Sequence, residues 1–255
     1  MRWIVQEDLY SEVGHASLLR VLEVMGLPHS VHRVVRDEGE PRLEPEVTVA
    51  SGERVIVCGG YSLIRIARAR GWTPGVHEVL DFEREREGWG DRMLNADAWV
   101  GSLSEVGPFE GVRFVRPVRD SKAFTGAVVD WEGLDTIRER VSGNRALGSD
   151  LAVVLASSKP IYGEYRTWVV SGRVVTASQY TMGSTVLYDA DVPEGITAFA
   201  QECVDLWNPA PAYVLDVAST PDGLRIVEVN RINTAAWYHG NVGKIVEALE
   251  ALDAS

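Results

Sequence analysis

One hairpin of this chain can bring three oxygen-bearing side chains to a single point. In "LRIVEVN" a carboxylate and an amide, Glu228 and Asn230, stand two residues apart on a strand. Side chains alternate across a strand, so the two share a face, and Val227 and Val229 point the other way into the core. The preceding strand, "AYVLDVAS", carries Asp216. Pro221-Asp222 suits the centre of a type I turn and Gly223 the left-handed position after it. That three-residue loop pairs Thr220 with Leu224, sets Asp216 opposite Glu228, and leaves Tyr213 or Val214 near Asn230. Two facing carboxylates repel and weaken a hairpin unless something positive sits between them. Hard oxygen ligands with open positions suit Mg2+, which takes one or two carboxylates plus waters and phosphate oxygens. A polar face turned to solvent gives the same alternation. A hydrolytic zinc centre is disfavoured, because no His or Cys accompanies the acids.

Cationic groups are unevenly distributed. Of 25 basic residues only Lys122, Lys159 and Lys244 are lysines, so Lys122 in the loop "RDSKAFTG" draws notice. Arg116 follows an apolar strand just before that loop. Glu164 and Arg166 share a face of "EYRTWVV", and the two-residue turn Ser171-Gly172 sets Glu164 opposite Gln179. A surface ion pair between Glu164 and Arg166 is the plainer reading. Gly59-Gly60-Tyr61-Ser62 joins a strand to a helix, a tight turn whose amides could also bind an anion. There is no Walker A loop and no G-x-G-x-x-G. The five histidines show no ligand spacing, and no nucleophile–base constellation is present.

The elements that must position these groups change character along the chain. Its 255 residues allow one large domain or two small ones. The first part alternates strand and helix: "RWIVQE", a helix in "SEVGHASLLRVLEVMG", "HSVHRVV", the polar loop "EGEPRLEPE", "RVIVCGG" and a helix from Ser62 to Arg70. Such alternation implies a parallel sheet. "FEREREGWG" reads as a solvated helix face. After "GPFEG" the strands "VRFVRPV", "GAVVD", "LAVVLASS", "EYRTWVV", "RVVTASQY", "AYVLDVAS" and "LRIVEVN" indicate antiparallel sheets, with helices over Trp131–Val141, in "GITAFAQECVDLW" and in "VGKIVEALEALD". The expected division is residues 1–107, Rossmann-like α/β, and residues 108–255, α+β. A net charge of −12 argues against a nucleic-acid backbone as partner. No apolar run is long enough to cross a membrane. The N-terminus does not read as a signal peptide. Cys58 and Cys203 lie far apart and read as core thiols, consistent with a reducing cytoplasm.

An aspartate on one strand, a Glu-x-Asn on the next, an acid-x-Arg strand upstream and a loop lysine before it, in this order, resemble the ATP-grasp superfamily over about residues 112–255. The pattern is most similar to a bacterial and phage clade in which Arg-Pro, here Arg116-Pro117, replaces Lys-Pro and a lysine follows in the loop. The first half resembles the small pre-ATP-grasp domain. The covering loop has one glycine, Gly126, and Gln179 stands where many relatives carry a second arginine.

The resemblance implies ATP and Mg2+ as cofactors, with Asp216, Glu228 and Asn230 as the metal ligands. Arg166 and Lys122 would act on the transferring phosphate. Arg116, Lys122, Ser121, Thr125, Glu164 and Gln179 would surround the nucleotide, Leu155 to Ser157 would meet adenine through their backbone, and Asn233 would lie at the pocket beyond the metal strand. Trp237 and Tyr238 would wall that pocket. The implied reaction joins a carboxylate and an amine through an acyl-phosphate. The implied partners are small-molecule or peptide acids and amines, with a homodimer as the expected assembly. A nucleotide-binding module of the same fold without ligase turnover, regulatory or acting in phage–host conflict, is the rival reading.

Overall fold

The computed structural model describes every residue except 8, 10–12, 37–38, 80, 119–122, 144–150 and 254–255. The first half builds a five-stranded sheet from β1 (Arg2–Gln6), β2 (His29–Val35), β3 (Arg42–Glu44), β4 (Val55–Cys58) and β5 (Pro74–Gly75), in the order β3-β2-β1-β4-β5. β1 runs parallel to β2 and β4, and β3 is antiparallel at the edge. Helices α1 (His15–Val24) and α2 (Tyr61–Ala69) follow β1 and β4. β3 lies inside the segment expected to be a polar loop; its Leu43 is buried, and three residues are too few to show alternation.

Helix α3 (Phe82–Trp89) begins at Asp81, whose side chain accepts from the Arg84 amide. The charge run here is only partly solvated. Phe82, Glu85 and Trp89 form a buried stripe at helical spacing, which corrects the expectation of a free polar face. A four-stranded antiparallel sheet follows, from β6 (Trp99–Ser102), β7 (Arg113–Pro117), β8 (Ala127–Val129) and β9 (Ala152–Ser157), with α4 (Trp131–Ser142) after β8. Its order is β6-β9-β7-β8. β6 therefore pairs with a strand from beyond the expected boundary at residue 107, because "AWVGS" gives too little periodicity to announce a strand.

The second antiparallel sheet runs β12-β11-β10-β13-β14, built from β10 (Gly163–Val170), β11 (Arg173–Met182), β12 (Thr185–Asp189), β13 (Ala212–Thr220) and β14 (Gly223–Asn230). Helix α5 (Glu194–Leu206) follows β12, and α6 (Val242–Asp253) follows β14. This sheet is buried on both faces. Trp168, Val170, Ala212 and Val214 share a core with Trp3, Leu18 and Ile56 of the first half and with α6. Tyr165, Val169, Tyr213 and Leu215 pack with α5, α3 and β9.

Register is regular only at the centre of this sheet. Between β10 and β13 every pair from Gly163↔Ser219 to Val170↔Ala212 keeps step. The outer strands carry β-bulges. Ser171 and Gly172 both take positive φ, 50° and 70°, as a two-residue primed turn requires. Two bulges in β11 then place Glu164 opposite Thr181 and Tyr165 opposite Gln179, which corrects the expected Glu164–Gln179 pair. In β13–β14 the turn is one residue tighter than expected, with Thr220 opposite Gly223. A bulge at Val227 restores the difference, so Asp216 does face Glu228 and Val214 faces Asn230. Val227 is the extra residue and only half-buried, and Ile226 takes the core place expected of it.

The segment between β14 and α6 is fastened to the first half by Asn233. Its Nδ2 donates to Val57 O at 2.8 Å and Gly75 O at 3.3 Å, and its Oδ1 accepts from the His77 amide at 2.8 Å. The Gly59 amide donates to Asn233 O at 2.9 Å. Asn233→Ala leaves three buried backbone groups without these partners. The expected loss is about 2–4 kcal/mol of unfolding free energy in urea denaturation.

Candidate active site

The centre of the site is an ion pair between the two central strands. Arg166 on β10 and Asp216 on β13 are direct cross-strand neighbours. Arg166 Nε donates to Asp216 Oδ1 at 2.9 Å and Nη2 to Oδ2 at 2.8 Å. Arg166 is 8% and Asp216 1% exposed, so both charges have left water. Burial alone would lower the pKa of Arg166. The charge and hydrogen bonds of Asp216 outweigh that and hold the guanidinium above its ordinary value. The alternative reading of Arg166 as a surface ion pair with Glu164 gives way to this buried fork.

Asn230 joins the acids. Its Nδ2 donates to Glu228 Oε1 at 2.8 Å and to Asp216 Oδ2 at 3.2 Å. A neutral amide thus occupies the space between two carboxylates that would otherwise repel. The three oxygen-bearing groups converge, as the sequence pattern requires. Rotating the amide about its terminal bond turns Oδ1 toward the same space, giving two carboxylates and a carbonyl. This all-oxygen set fits Mg2+, with coordination positions left for water and phosphate. No cluster of three or more His, Cys, Asp or Glu suited to a metal exists among the described residues, so a centre held by protein alone is not built here.

Glu164 lies on the same face, one residue beyond Arg166 in the alternation. Its Oε2 accepts from Thr181 Oγ1 at 3.1 Å. Burial raises its pKa, hydrogen bonds from Thr181 and Tyr180 oppose the rise, and Asp216 adds to it. Tyr180 is the residue extruded by the β11 bulge, and it turns its ring to the Arg166 guanidinium at 5.6 Å. Gln179 instead donates through Nε2 to Thr181 O at 2.9 Å. The bulge thus exchanges the expected Gln179 for Tyr180 beside the ion pair.

Opposite this sheet, Arg116 on β7 rests its guanidinium over Phe82 of α3 at 5.2 Å. One turn along α3, Glu85 is 3% exposed and its Oε2 meets no hydrogen-bond partner among the described residues. Burial pushes Glu85 up to about 8. Arg116 pulls it down, and Glu228 and Asp81 push it further up. Glu85 therefore lies within electrostatic reach of both sheets. The stripe Phe82, Glu85, Trp89 was the sequence signal for it.

The remaining expected residues fall in several places. Leu155 has a strand on both sides, Trp99 and Val115, whereas Ser157 has only Arg113. The open edge of β9 thus begins beyond Leu155. Thr125 is exposed and lines a groove of about 320 Å³ with Phe124, Ala127 and Arg140. Asn233 spends both ends of its amide on the first half's backbone, so it is a fastening group and is not free to meet a nucleotide. Trp237 is buried core, while Tyr238 stacks beside Arg166. Ser121 and Lys122 lie outside the described residues.

Two antiparallel sheets with a mixed parallel sheet before them make up the ATP-grasp fold. The family model described as "ATP-grasp domain, R2K clade family 3" matches residues 26–249, and the chain belongs to that family. ATP-grasp proteins are mostly ATP-dependent ligases. Among solved structures, the chain is similar to the RimK domain protein ATP-grasp from Sphaerobacter thermophilus DSM 20745, with TM-score 0.62, 16% identity, and 98% of this chain and 100% of that one covered. It is also similar to D-cycloserine synthetase DcsG, with TM-score 0.61, 14% identity, and 99% and 100% covered. These similarities are of fold. No curated protein matches the sequence. No helix among the described residues is long and apolar enough to cross a membrane.

Two outcomes follow from the charges. Asp216→Ala strands a buried guanidinium, and urea unfolding should show a loss of about 3–5 kcal/mol. The folded chain binds the Glu85 proton more tightly than the unfolded chain does. That stabilisation is complete below the ordinary value of 4.5 and is lost as pH rises through about 8. Glu85→Gln, which cannot ionise, should gain stability over the parent by roughly 2–3 kcal/mol more at pH 9 than at pH 6 in paired urea titrations.

Proposed function

We propose that this chain is an ATP- and Mg2+-dependent ligase that joins a carboxylate to an amine through an acyl-phosphate. The observation that carries the proposal is the convergence of Asp216, Glu228 and Asn230 around one space, with Arg166 forked onto Asp216 at its edge. Family membership supports ATP as the phosphoryl donor.

A substrate carboxylate oxygen attacks the γ-phosphorus of ATP, and the bond to the β-phosphate oxygen breaks to release ADP. The amine then attacks the acyl carbon, inorganic phosphate leaves, and the amine gives up a proton as the amide forms. Bound Mg2+ would neutralise phosphate charge and would be held by Asp216, Glu228 and Asn230. Phosphoryl transfer of this kind needs positioned charge more than covalent participation by the protein. Arg166 supplies a guanidinium whose Nε and one Nη2 hydrogen are fixed on Asp216 and whose Nη1 reaches Ala236 O, and its N–H groups not engaged there serve the transferring phosphate. Arg116, held over Phe82 and within reach of the opposite sheet, forks onto phosphate oxygens. The resemblance would give Lys122, Ser121 and Thr125, which stand in the sequence between β7 and β8, to the phosphates as well. Adenine lies along the open edge of β9 at Ser157. Glu164 adds an acceptor beside Arg166. The acid and amine, small molecules or peptides, enter beside Arg166.

Calorimetric titration with ATP and Mg2+, followed by an ADP-release assay across amino acids and short peptides, tests the proposal. Binding plus acceptor-stimulated ADP release is expected. Binding without stimulated release would leave a nucleotide-binding module. Glu228→Gln should lower Mg2+-dependent ATP affinity by at least about tenfold, equivalent to roughly 1.4 kcal/mol, with an unchanged circular dichroism spectrum. Unaltered affinity in that variant would remove Glu228 from the metal site.

A further inference from the structure

Two tyrosines meet the Arg166 guanidinium, and a third stacks on one of them. Tyr238, in the segment between β14 and α6, lies between Tyr180 of β11 and Tyr188 of β12. Both ring centroids are 5.1 Å away, at interplanar angles of 17° and 20°. The Arg166 guanidinium carbon is 4.7 Å from the Tyr238 ring centroid and 5.6 Å from that of Tyr180. Arg166 Nη1 also reaches Ala236 O at 3.4 Å. Asp216 grips the guanidinium by its Nε–Nη2 edge, and the aromatic rings and the Ala236 carbonyl meet it elsewhere.

The backbone at Tyr238 is the second observation. Its φ is 42°, in the left-handed region that a bulky aromatic rarely enters. Such a conformation persists only where the surroundings over-determine it. Here they do so on each side. Asn233 fastens the segment upstream. Trp237 is buried, and its Cβ leaves no room for any side chain at Gly14. The His239 amide donates to Ser178 Oγ at 3.2 Å. Gly240 lies so close to the Trp168 ring that a Cβ there would meet it at 2.5 Å. The chain is thus held in a costly local conformation at the residue whose ring comes nearest the guanidinium, 4.7 Å against 5.6 Å for Tyr180.

We infer that Tyr238 is a positioning residue for Arg166: its ring, clamped between Tyr180 and Tyr188, fixes the guanidinium plane so that the N–H groups not spent on Asp216 face the phosphoryl group in flight. The inference rests on the reading of Arg166 as a phosphate-contacting group. A cation over desolvated aromatic faces is held without using up its N–H donors, which a second carboxylate would consume. Orientation matters more in the transition state than in the ground state, so the effect falls on transfer and leaves nucleotide binding nearly intact.

Two nucleotide probes test this without knowledge of the acid or amine. One is the non-hydrolysable ATP analogue AMP-PNP with Mg2+. The other is ADP with Mg2+ and aluminium fluoride, which mimics the phosphoryl group in flight. Affinities are measured by calorimetry for the parent, Tyr238→Leu and Tyr238→Phe, with a thermal melt of each. Tyr238→Leu is expected to weaken the aluminium fluoride complex at least tenfold and AMP-PNP less than threefold, and Tyr238→Phe, which keeps the ring face, to restore the parent ratio. The side-chain Nε–H signal of Arg166 in 15N-labelled protein should move in the Leu variant and hold its place in the Phe variant. An unchanged ratio of the two affinities in Tyr238→Leu overturns the role of Tyr238 while leaving the nucleotide site standing. Equal losses for both probes, or no rescue by Phe, also overturn it, since a merely structural or hydroxyl-based role behaves that way. A parent that binds neither probe overturns the nucleotide reading itself.

Discussion

The structure depends on one buried fork of charge, Arg166 on Asp216. Each partner alone would face the desolvation cost of an uncompensated ion, and together they satisfy one another through two parallel hydrogen bonds. The pair bridges β10 and β13, the central strands of the larger antiparallel sheet, where register is regular from end to end. A slip of one residue would turn Arg166 into the apolar core shared with α5 and lift Val169 toward the acids. The ion pair and the two-sided burial of the sheet therefore specify the same alignment, and neither could be lost without the other.

Irregularity is pushed outward from that centre. β11 and β14 carry the bulges, and each bulge alters what the site receives. The extra residue in β11 brings Tyr180 round to the guanidinium. The extra residue in β14 lets a tight turn coexist with Asp216 facing Glu228. Bulges near functional groups re-aim side chains at the cost of local ladder hydrogen bonds. Here the bulged strands flank a regular pair that can bear that cost.

Much of this was legible in the residues. The hairpin carrying Asp216, Glu228 and Asn230 announced itself through alternation and a strong turn signal, and the strands of the second half other than β12 followed from β-branched runs. The order of the motifs carried the family. What stayed hidden has physical reasons. Register beyond the first few pairs depends on bulges, which leave no compositional mark, so the residue opposite Glu164 is Thr181 and not the expected Gln179. The Asp216–Glu228 pairing came out right although the turn was one residue shorter, because the bulge at Val227 compensated. β3, β5 and β6 are two to four residues long and held by their neighbours in the sheet. Asn233 looked like a ligand because it follows the acid strand, but the polar atoms it serves belong to β4, β5 and His77, distant in sequence. Glu85 was hidden by its charged neighbours, although its spacing from Phe82 and Trp89 marked the buried stripe.

The amide of Asn230 gives the acid cluster a tenant of its own. Because that group already relieves the repulsion between Asp216 and Glu228, the polypeptide can reach its folded form without any ion to hold the hairpin together. On the proposed reading, an arriving cation must displace this internal occupant, and its net affinity is what remains after the amide's two hydrogen bonds are given up. A lone hydrated ion gains little from such an exchange. One that comes with phosphate oxygens already attached gains more, so this hairpin favours metal and nucleotide arriving as a unit.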